Sequence, residues 1–534
     1  MRNRLRLPGL ALILVLAGCS SSGDDGAAPA PLPPSQYVLN VSRLLEGSVV
    51  SEPAGINCGT QCSASFPADT LVRLSAVPAE GRRFVEWRGA CMGSGACELR
   101  MDNHRLLTAV FGPTEIVDPP PGAKACAPYD GPALTELKQY EGLMHEHSSY
   151  SDGLPTAIPA DYFRVATTAG YDFVGSAEHS DSLDALNFIT LHAYCDPTSD
   201  QFDPTSVEYC FLNPSADKLV KWASMQTQAR EASSEHFLGI RGFEWTSDVF
   251  GHINVYFSSN FTNAKTDLGY ALTMDTFWEW FSRDPATPGL GGSLTSIGIN
   301  GGAGVPFGGG SDALAHFNHP HDKCLTEDDP TGLTTGFCDW NDYELIPDAV
   351  ERMFGMEVYN DGNRDDRYLP YYMRALDKGW RLAPVGSEDE HFGEYAVEHR
   401  PKTVTLATEL SEAGFREAWL ARRTMALSPG WHLRADLRAD GDHPMGSRLS
   451  CDSGKTVPMT VRLTQKDGRP FSGEYRLYTS GAAEPLATIR GSEARFDLPV
   501  PLASGETRWY FVRAHGGEDN KSVAYLSPVW VTAK

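Results

Sequence analysis

Between positions 145 and 391, histidines and carboxylates stand at the ends of five successive apolar, strand-like runs. His145-Glu146-His147 follows the run that begins at Tyr140, and Glu178-His179 follows Phe173 to Ala177. Glu244 ends Gly242-Phe243-Glu244, with His252 a few residues on; His316-Phe317-Asn318-His319-Pro320-His321 and Asp389-Glu390-His391 complete the set. In an extended chain residues i and i+2 point to the same side, so the imidazoles of His145 and His147 can reach one ion. A carboxylate between imidazole sites offsets the repulsion between two cations. Any one of these groups could be a satisfied core or surface histidine. Five in order, with none in the flanks, would be a poor coincidence, and eleven of the fifteen histidines lie between 145 and 399. The fold must therefore bring successive strand ends to one rim.

The local patterns support this. Strand-like runs at 140–145, 173–177, 237–243, 252–257, 313–318, 354–359, 381–385 and 403–406 alternate with helical patterns at 160–168, 218–232, 275–281, 371–378 and 412–423. Such alternation predicts parallel βα units, open or closed into a barrel, over residues 137–435. Residues 36–112 instead show period-2 alternation, as in Tyr37-Leu39-Val41 and Leu107-Ala109-Phe111, and predict a small all-β unit. Residues 113–136 are a linker with three consecutive prolines, and 436–534 return to short alternating strands that predict a C-terminal β-sandwich. The Gly-rich stretch Gly289 to Gly310 reads as a loop over the site mouth or a surface insertion. Trp245, Trp278, Trp280 and Trp340 read as core or as an apolar pocket.

The net charge of −24 disfavours nucleic acid as a partner, because phosphate backbones repel an acidic chain. At the N-terminus Arg2, Arg4 and Arg6 precede a short apolar core, Leu10 to Ala17, as in a secretory signal (residues 1–18). Leu16-Ala17-Gly18-Cys19 resembles the lipobox of bacterial lipoproteins, which implies lipidation of Cys19 and a membrane contact through that anchor. Residues 19–35 then read as a Ser/Gly/Pro-rich tether, and Ser20 resembles outer-membrane sorting in a bacterial cell envelope. Ten further cysteines fit an exported chain: Cys58–Cys62, Cys91–Cys97, Cys195–Cys210 and Cys324–Cys338 as short-loop disulfides, with Cys126–Cys451 clamping the ends of the central unit. A Cys-based metal site is the alternative, weakened by the scatter of the pairs.

Two resemblances extend these readings. Pro53 to Gly59, Phe84 to Gly89 and Ala109 to Phe111 resemble bacterial repeat modules related to the InlB B-repeat, which act as spacers or adhesive units. His145-x-His147-x-x-Tyr150-Ser151-Asp152-Gly153, the Glu178-His179 pair, Gly242-Phe243-Glu244, Gly251-His252, His319-Pro320 and Gly386-Ser387-x-Asp389-x-His391 resemble the polymerase-and-histidinol-phosphatase (PHP) superfamily of metallohydrolases. Gly242 to Ser247, Gly251 to Val255 and Met356 to Asn360 resemble its carbaryl-hydrolase-like branch. That resemblance implies a distorted (β/α)7 barrel holding two or three Zn, Mn or Fe ions. His145, His147, Glu244 and Asp389 would hold one ion, with Glu244 bridging to a second completed by His252 and His319. Asp152, His179 and His391 would hold a third. Glu178 stands where the family has Asp, Ser148 where it has Thr, and His316 and His321 compete with His319.

Such a centre would activate water against a small phosphoester, or against a carbamate or carboxylic ester. His179 or His391, beside Asp389, would serve the catalysis as leaving-group acid where not ligating. Arg364, Arg367 and Arg374 are available as a phosphate clamp. The contrasting expectation is a non-catalytic surface lipoprotein in which the β repeat acts and the barrel is a scaffold. No protein partner is evident.

Overall fold

The computed structural model describes residues 36–534 apart from 45–46, 80–81, 92–94, 114–123, 184–219, 265–273, 288–307, 324–337, 363–366 and 483. The N-terminal unit has strands β1 (Gln36–Leu44), β2 (Gly47–Glu52), β3 (Asn57–Cys58), β4 (Ser63–Pro67), β5 (Leu71–Pro78), β6 (Arg82–Gly89), β7 (Cys97–Arg100) and β8 (Arg105–Pro113). They form two four-stranded sheets, in the orders β4-β1-β8-β6 and β3-β2-β5-β7. Leu39 and Val41, Val72 and Leu74, and Leu107, Ala109 and Phe111 are buried, because alternate side chains of a strand share a face. Cys58–Cys62 and Cys91–Cys97 are disulfides within this unit. Its core continues onto Ala482 and Leu486, so the unit packs on the C-terminal part of the chain.

The central unit is built from β9 (Lys138–Glu146), β10 (Phe173–Ser176), β11 (Glu178–His179), β12 (Leu238–Ile240), β13 (Gly242–Ser247), β14 (Gly251–Tyr256), β15 (Leu314–Phe317), β16 (Met353–Asn360), β17 (Ala383–Ser387), β18 (Lys402–Ala407) and β19 (Thr424–Leu427). Ala177 alone separates β10 from β11, and Arg241 alone separates β12 from β13. The first member of each pair joins β9 in one sheet, and the second begins the run β11-β13-β14-β15-β16-β17 in another. The single strand expected over 237–243 is thus two strands in two sheets. At the far end Glu388 N donates to Met144 O (3.3 Å) and His147 N to Glu390 O (3.2 Å), which ties the end of β17 to the end of β9.

The expectation of parallel βα units needs correction at β18, antiparallel to both β9 and β19, and at β14. Strand β14 runs antiparallel to both β13 and β15. Only Asp248, Val249 and Phe250 link β13 to β14, far too few residues for a parallel crossover. Gly251 opens β14 at φ +110°, where a Cβ would come within 2.8 Å of the Trp340 ring. The right-handed α-helices among the described residues are α1 (Pro159–Ala169), α2 (Val220–Ala232), α3 (Met274–Ser282), α4 (Leu369–Asp377) and α5 (Glu412–Leu420). Among the described residues none is long and apolar enough to cross a membrane. Helix α1 starts at Pro159, has Ile158 N donating to Asp161, and stops at Gly170 in the left-handed region. It buries Tyr162, Phe163 and Ala166.

The C-terminal strands are β20 (Leu433–Ala439), β21 (Arg448–Cys451), β22 (Thr456–Gln465), β23 (Gly473–Thr479), β24 (Ala487–Gly491), β25 (Glu493–Pro499), β26 (Thr507–Gly516), β27 (Lys521–Leu526) and β28 (Val529–Ala533). They do not stand apart from the central unit. Strand β27 pairs antiparallel with β19, so one 11-stranded sheet runs from β12 through β9 and β18 into β24. The β20-β22-β25 sheet packs against it with Val457, Met459, Val461 and Leu463 inward. Position 436, where a new unit was expected to begin, lies inside β20. Cys126 and Cys451 form a disulfide across 325 positions. All four tryptophans singled out in the sequence are buried in the large central core.

Candidate metal centre

The strand ends deliver the expected side chains to one place, on a backbone that bends to do so. His145 has φ +70°, Asp389 +51° and His319 +22°, all without a glycine's freedom. Such conformations cost about 1–3 kcal/mol each and persist only where surrounding packing dictates them. Here they turn three side chains inward just as their strands finish.

Glu244 lies at the middle. Its Oε1 is 3.0 Å from His145 Nε2, 3.0 Å from His252 Nδ1 and 3.4 Å from His319 Nε2, and its Oε2 is 2.7 Å from His179 Nδ1. Asp389 Oδ1 is 3.3 Å from Nε2 of both His145 and His147, while its Oδ2 is 3.9 Å from His319 Nε2. Asp152 reaches His179 Nε2 at 3.2 Å, His391 Nε2 at 3.4 Å and His147 Nδ1 at 3.8 Å. All nine residues singled out as ligands therefore share one cluster. Four overlapping groups have donor atoms close enough to hold an ion: His145/His147/Glu244, His145/His319/Asp389, His179/Glu244/His252 and His147/Asp152/His179/His391. His179 belongs to two of them, and His319 faces both Glu244 and Asp389. Nε2 of His145 and of His147 are buried and make no hydrogen bond. Imidazole lone pairs left unsatisfied beside carboxylate oxygens are the donor set a divalent cation takes, so the residues fit the group.

Against burial, the neighbouring carboxylates push His145, His319 and His391 above the ordinary imidazole value, toward the positive charge that a bound cation would supply instead. Burial opposes the charge on Glu244, yet His252, His145 and His179 hold its carboxyl well below the ordinary range. Burial likewise opposes Asp389, and His145, His147 and His319 hold it low. Burial and the neighbouring His391 push His147 down to about 3, the neutral form that ligates. His179, despite burial, is pushed up to about 10 by Glu244 and Asp152.

No protein-family model and no curated protein matches the chain. Among solved structures it is similar to a two-domain protein from Bacteroides vulgatus ATCC 8482 described as containing a predicted PHP-like metal-dependent phosphoesterase. The identity is 19%, covering 76% of this chain and 100% of that one, with a TM-score of 0.34. A likeness that loose decides nothing about the site.

Residues that sequence reasoning left without a role surround the ligands. Glu357, fully buried in β16, faces His145 Nδ1 at 2.8 Å and accepts from His319 N (2.7 Å) and Asn360 Nδ2 (2.9 Å). An ionised carboxylate can only accept, so it keeps the proton of His145 on Nδ1 and turns the Nε2 lone pair to the cluster. Asn318 Nδ2 donates to Glu244 Oε1 at 2.7 Å. Glu178 accepts from Ser148 N (3.0 Å) and the Ser151 hydroxyl (2.6 Å), fixing the turn that carries Asp152. The signal for Glu357 was an acid inside an otherwise apolar strand.

The structure separates His319 from its competitors. His316 is buried against Tyr256 (3.4 Å), and His321 pairs with Asp339 (3.2 Å). The cleft over the cluster encloses about 280 Å³ and is lined by seven of the nine candidate ligands, all but His145 and His147, with Ser182, Thr246, Asp248 and Lys323. Of the arginines available as a clamp, Arg367 and Arg374 do not line this cleft: Arg367 pairs with Asp322 and Arg374 with Asp342 (2.5 Å). Arg364, Cys19, Cys195, Cys210 and Cys324, and nearly all of the Gly289–Gly310 stretch, lie outside the described residues. Cys338 is disulfide-bonded.

Proposed function

We propose that the chain is a lipid-anchored, metal-dependent phosphoesterase of the PHP type, with a distorted (β/α)7 barrel as its catalytic unit. The observation that carries this is the convergence of seven imidazoles and carboxylates around Glu244 and Asp389, with Nε2 of His145 and of His147 buried against those two carboxylates. His145, His147, Glu244 and Asp389 would hold one ion, Glu244 with His252 and His319 a second, and Asp152, His179 and His391 a third. Bound there, such ions supply a Lewis acid and a water acidic enough to serve as nucleophile at neutral pH. Glu357 and Asn318 hold the ligands in register. Where no third ion is bound, His179 or His391, which keep some exposure at the cleft lip (15% and 25%), would give the leaving group its proton.

The cleft supports a phosphoester over an aryl carbamate. Its described lining carries no Phe, Tyr or Trp side chain, while it does carry the cation Lys323. The N-terminal β unit and the tether would set the enzyme off from an envelope membrane, and Leu16-Ala17-Gly18-Cys19 supports the anchor. Metal analysis of the purified protein, beside assays with nitrophenyl phosphate and a naphthyl carbamate, tests the reading. Chelator-sensitive turnover of the phosphate ester is expected. Turnover of the carbamate alone would move the chain to an ester or carbamate hydrolase, and turnover of neither, with no bound metal, would reject the enzyme. For the anchor, palmitate labelling of expressing cells should be lost in Cys19→Ser.

A further inference from the structure

Lys323 is the one cation among the described residues lining a cleft otherwise made of histidines, carboxylates and hydroxyls. It sits just past the His319-Pro320-His321 turn, and its side chain is one-third exposed. Its Nζ lies 3.5 Å from Asp248 Oδ1, and the same oxygen lies 3.4 Å from His252 Nε2. A pair whose side chains are each at least one-third exposed and 3.5 Å apart is weak, so Lys323 can exchange partners at small cost. A lysine ammonium also presents three rotatable donors on a flexible stem, which suits a point-charge contact to a phosphoryl oxygen.

We infer that Lys323 is the specificity-determining residue of this site: it selects anionic, phosphoryl-bearing substrates by leaving Asp248 for a non-bridging phosphoryl oxygen. This rests on the phosphoesterase reading given above. Asp248 then has two tasks. It parks the ammonium at the lip between turnovers and, through its contact with His252 Nε2, ties the parked position to the ligand cluster. The substrate class that follows is a small phosphomonoester. The cleft is about 280 Å³, and the charge that reads the substrate stands at its edge. A neutral ester offers Lys323 nothing.

The test uses the full metal-loaded chain, with Lys323→Met to keep the stem and remove the charge, and Lys323→Arg to keep the charge. Inorganic phosphate is titrated by calorimetry, metal content is measured alongside, and KM and kcat are compared for nitrophenyl phosphate and the neutral nitrophenyl acetate. Loss of one charged hydrogen bond corresponds to about a 10- to 100-fold weaker phosphate affinity. Lys323→Met should show that loss in Kd and in KM for the phosphoester, with kcat moved less, metal content unchanged and any acetate turnover unaffected; Lys323→Arg should recover most of it. Unchanged phosphate affinity in Lys323→Met, or wild-type protein that binds no phosphate, overturns the inference. Lys323-dependent phosphate binding without hydrolysis of any phosphoester would leave the inference standing and remove the proposed activity.

Discussion

Replacing Glu357 by Gln probes whether this cluster is arranged for metal, because it changes no ligand and almost no volume. Both carboxylate oxygens are in use: Oε1 faces His145 Nδ1 at 2.8 Å, and Oε2 takes the N–H of His319 and the amide of Asn360. A glutamine can satisfy only one side. If its NH2 faces His319 N and Asn360, donors confront donors, at about 1–3 kcal/mol for a buried unsatisfied group. If the NH2 faces His145 instead, the imidazole must move its proton to Nε2, and the lone pair that points at Glu244 and Asp389 is lost. Either outcome weakens ion binding, and lost outer partners of this kind cost about 10- to 100-fold in affinity, equivalent to about 1.4–2.8 kcal/mol. Competition titration of manganese and zinc against a chelator of known affinity measures it, with circular dichroism to show that the β-rich fold is intact. A folded Glu357→Gln protein with wild-type affinity for both ions would refute the assignment of Glu357 and of the His145 tautomer.

Three further outcomes follow from the same coordinates. His147→Ala removes a buried ring contacting Asp389 and should abolish metal binding and turnover while the flanking β units stay folded; retained turnover rejects the site. Burial opposes the charge of Glu141, but hydrogen bonds from His432 and Arg434 lower its carboxyl from 4.5 to about 2. Its folded value is depressed, so its stabilisation is complete above pH 4.5 and is lost as pH falls toward 2. Glu141→Gln should remove about 3 kcal/mol at pH 7 and flatten the acid-unfolding profile over that window, seen by urea titration at several pH values. Changing both Cys126 and Cys451 to Ala opens a closed loop of 325 positions and should cost about 2–5 kcal/mol in the same titration; an unchanged midpoint would mean the pair does not restrain the chain.

The ligand set was legible because its chemistry repeats at a structural period. His145 and His147 share a face two residues apart, and acids with histidines recur after each strand, so order along the chain stood in for proximity. The parallel strands around them were legible from apolar runs of ordinary length. The split at Arg241 was not, since Phe237 to Phe243 reads as one run whichever sheet each half joins. Nor was the fusion of the central and C-terminal sheets, because β19 and β27 lie about 100 positions apart and a β pattern does not name its partner. Lys323 escaped notice for a related reason. One lysine in a loop carries no period, while two of the arginines available as a clamp, Arg367 and Arg374, are held by Asp322 and Asp342.

Anomalous diffraction from crystals grown with manganese tests the central claim most directly. It should show at least two peaks inside the cluster, one within about 2–2.3 Å of His145 Nε2, His147 Nε2 and Asp389, the other against Glu244. Crystals soaked to saturation with no peak there, or with Glu244 turned away from both histidines, would contradict it.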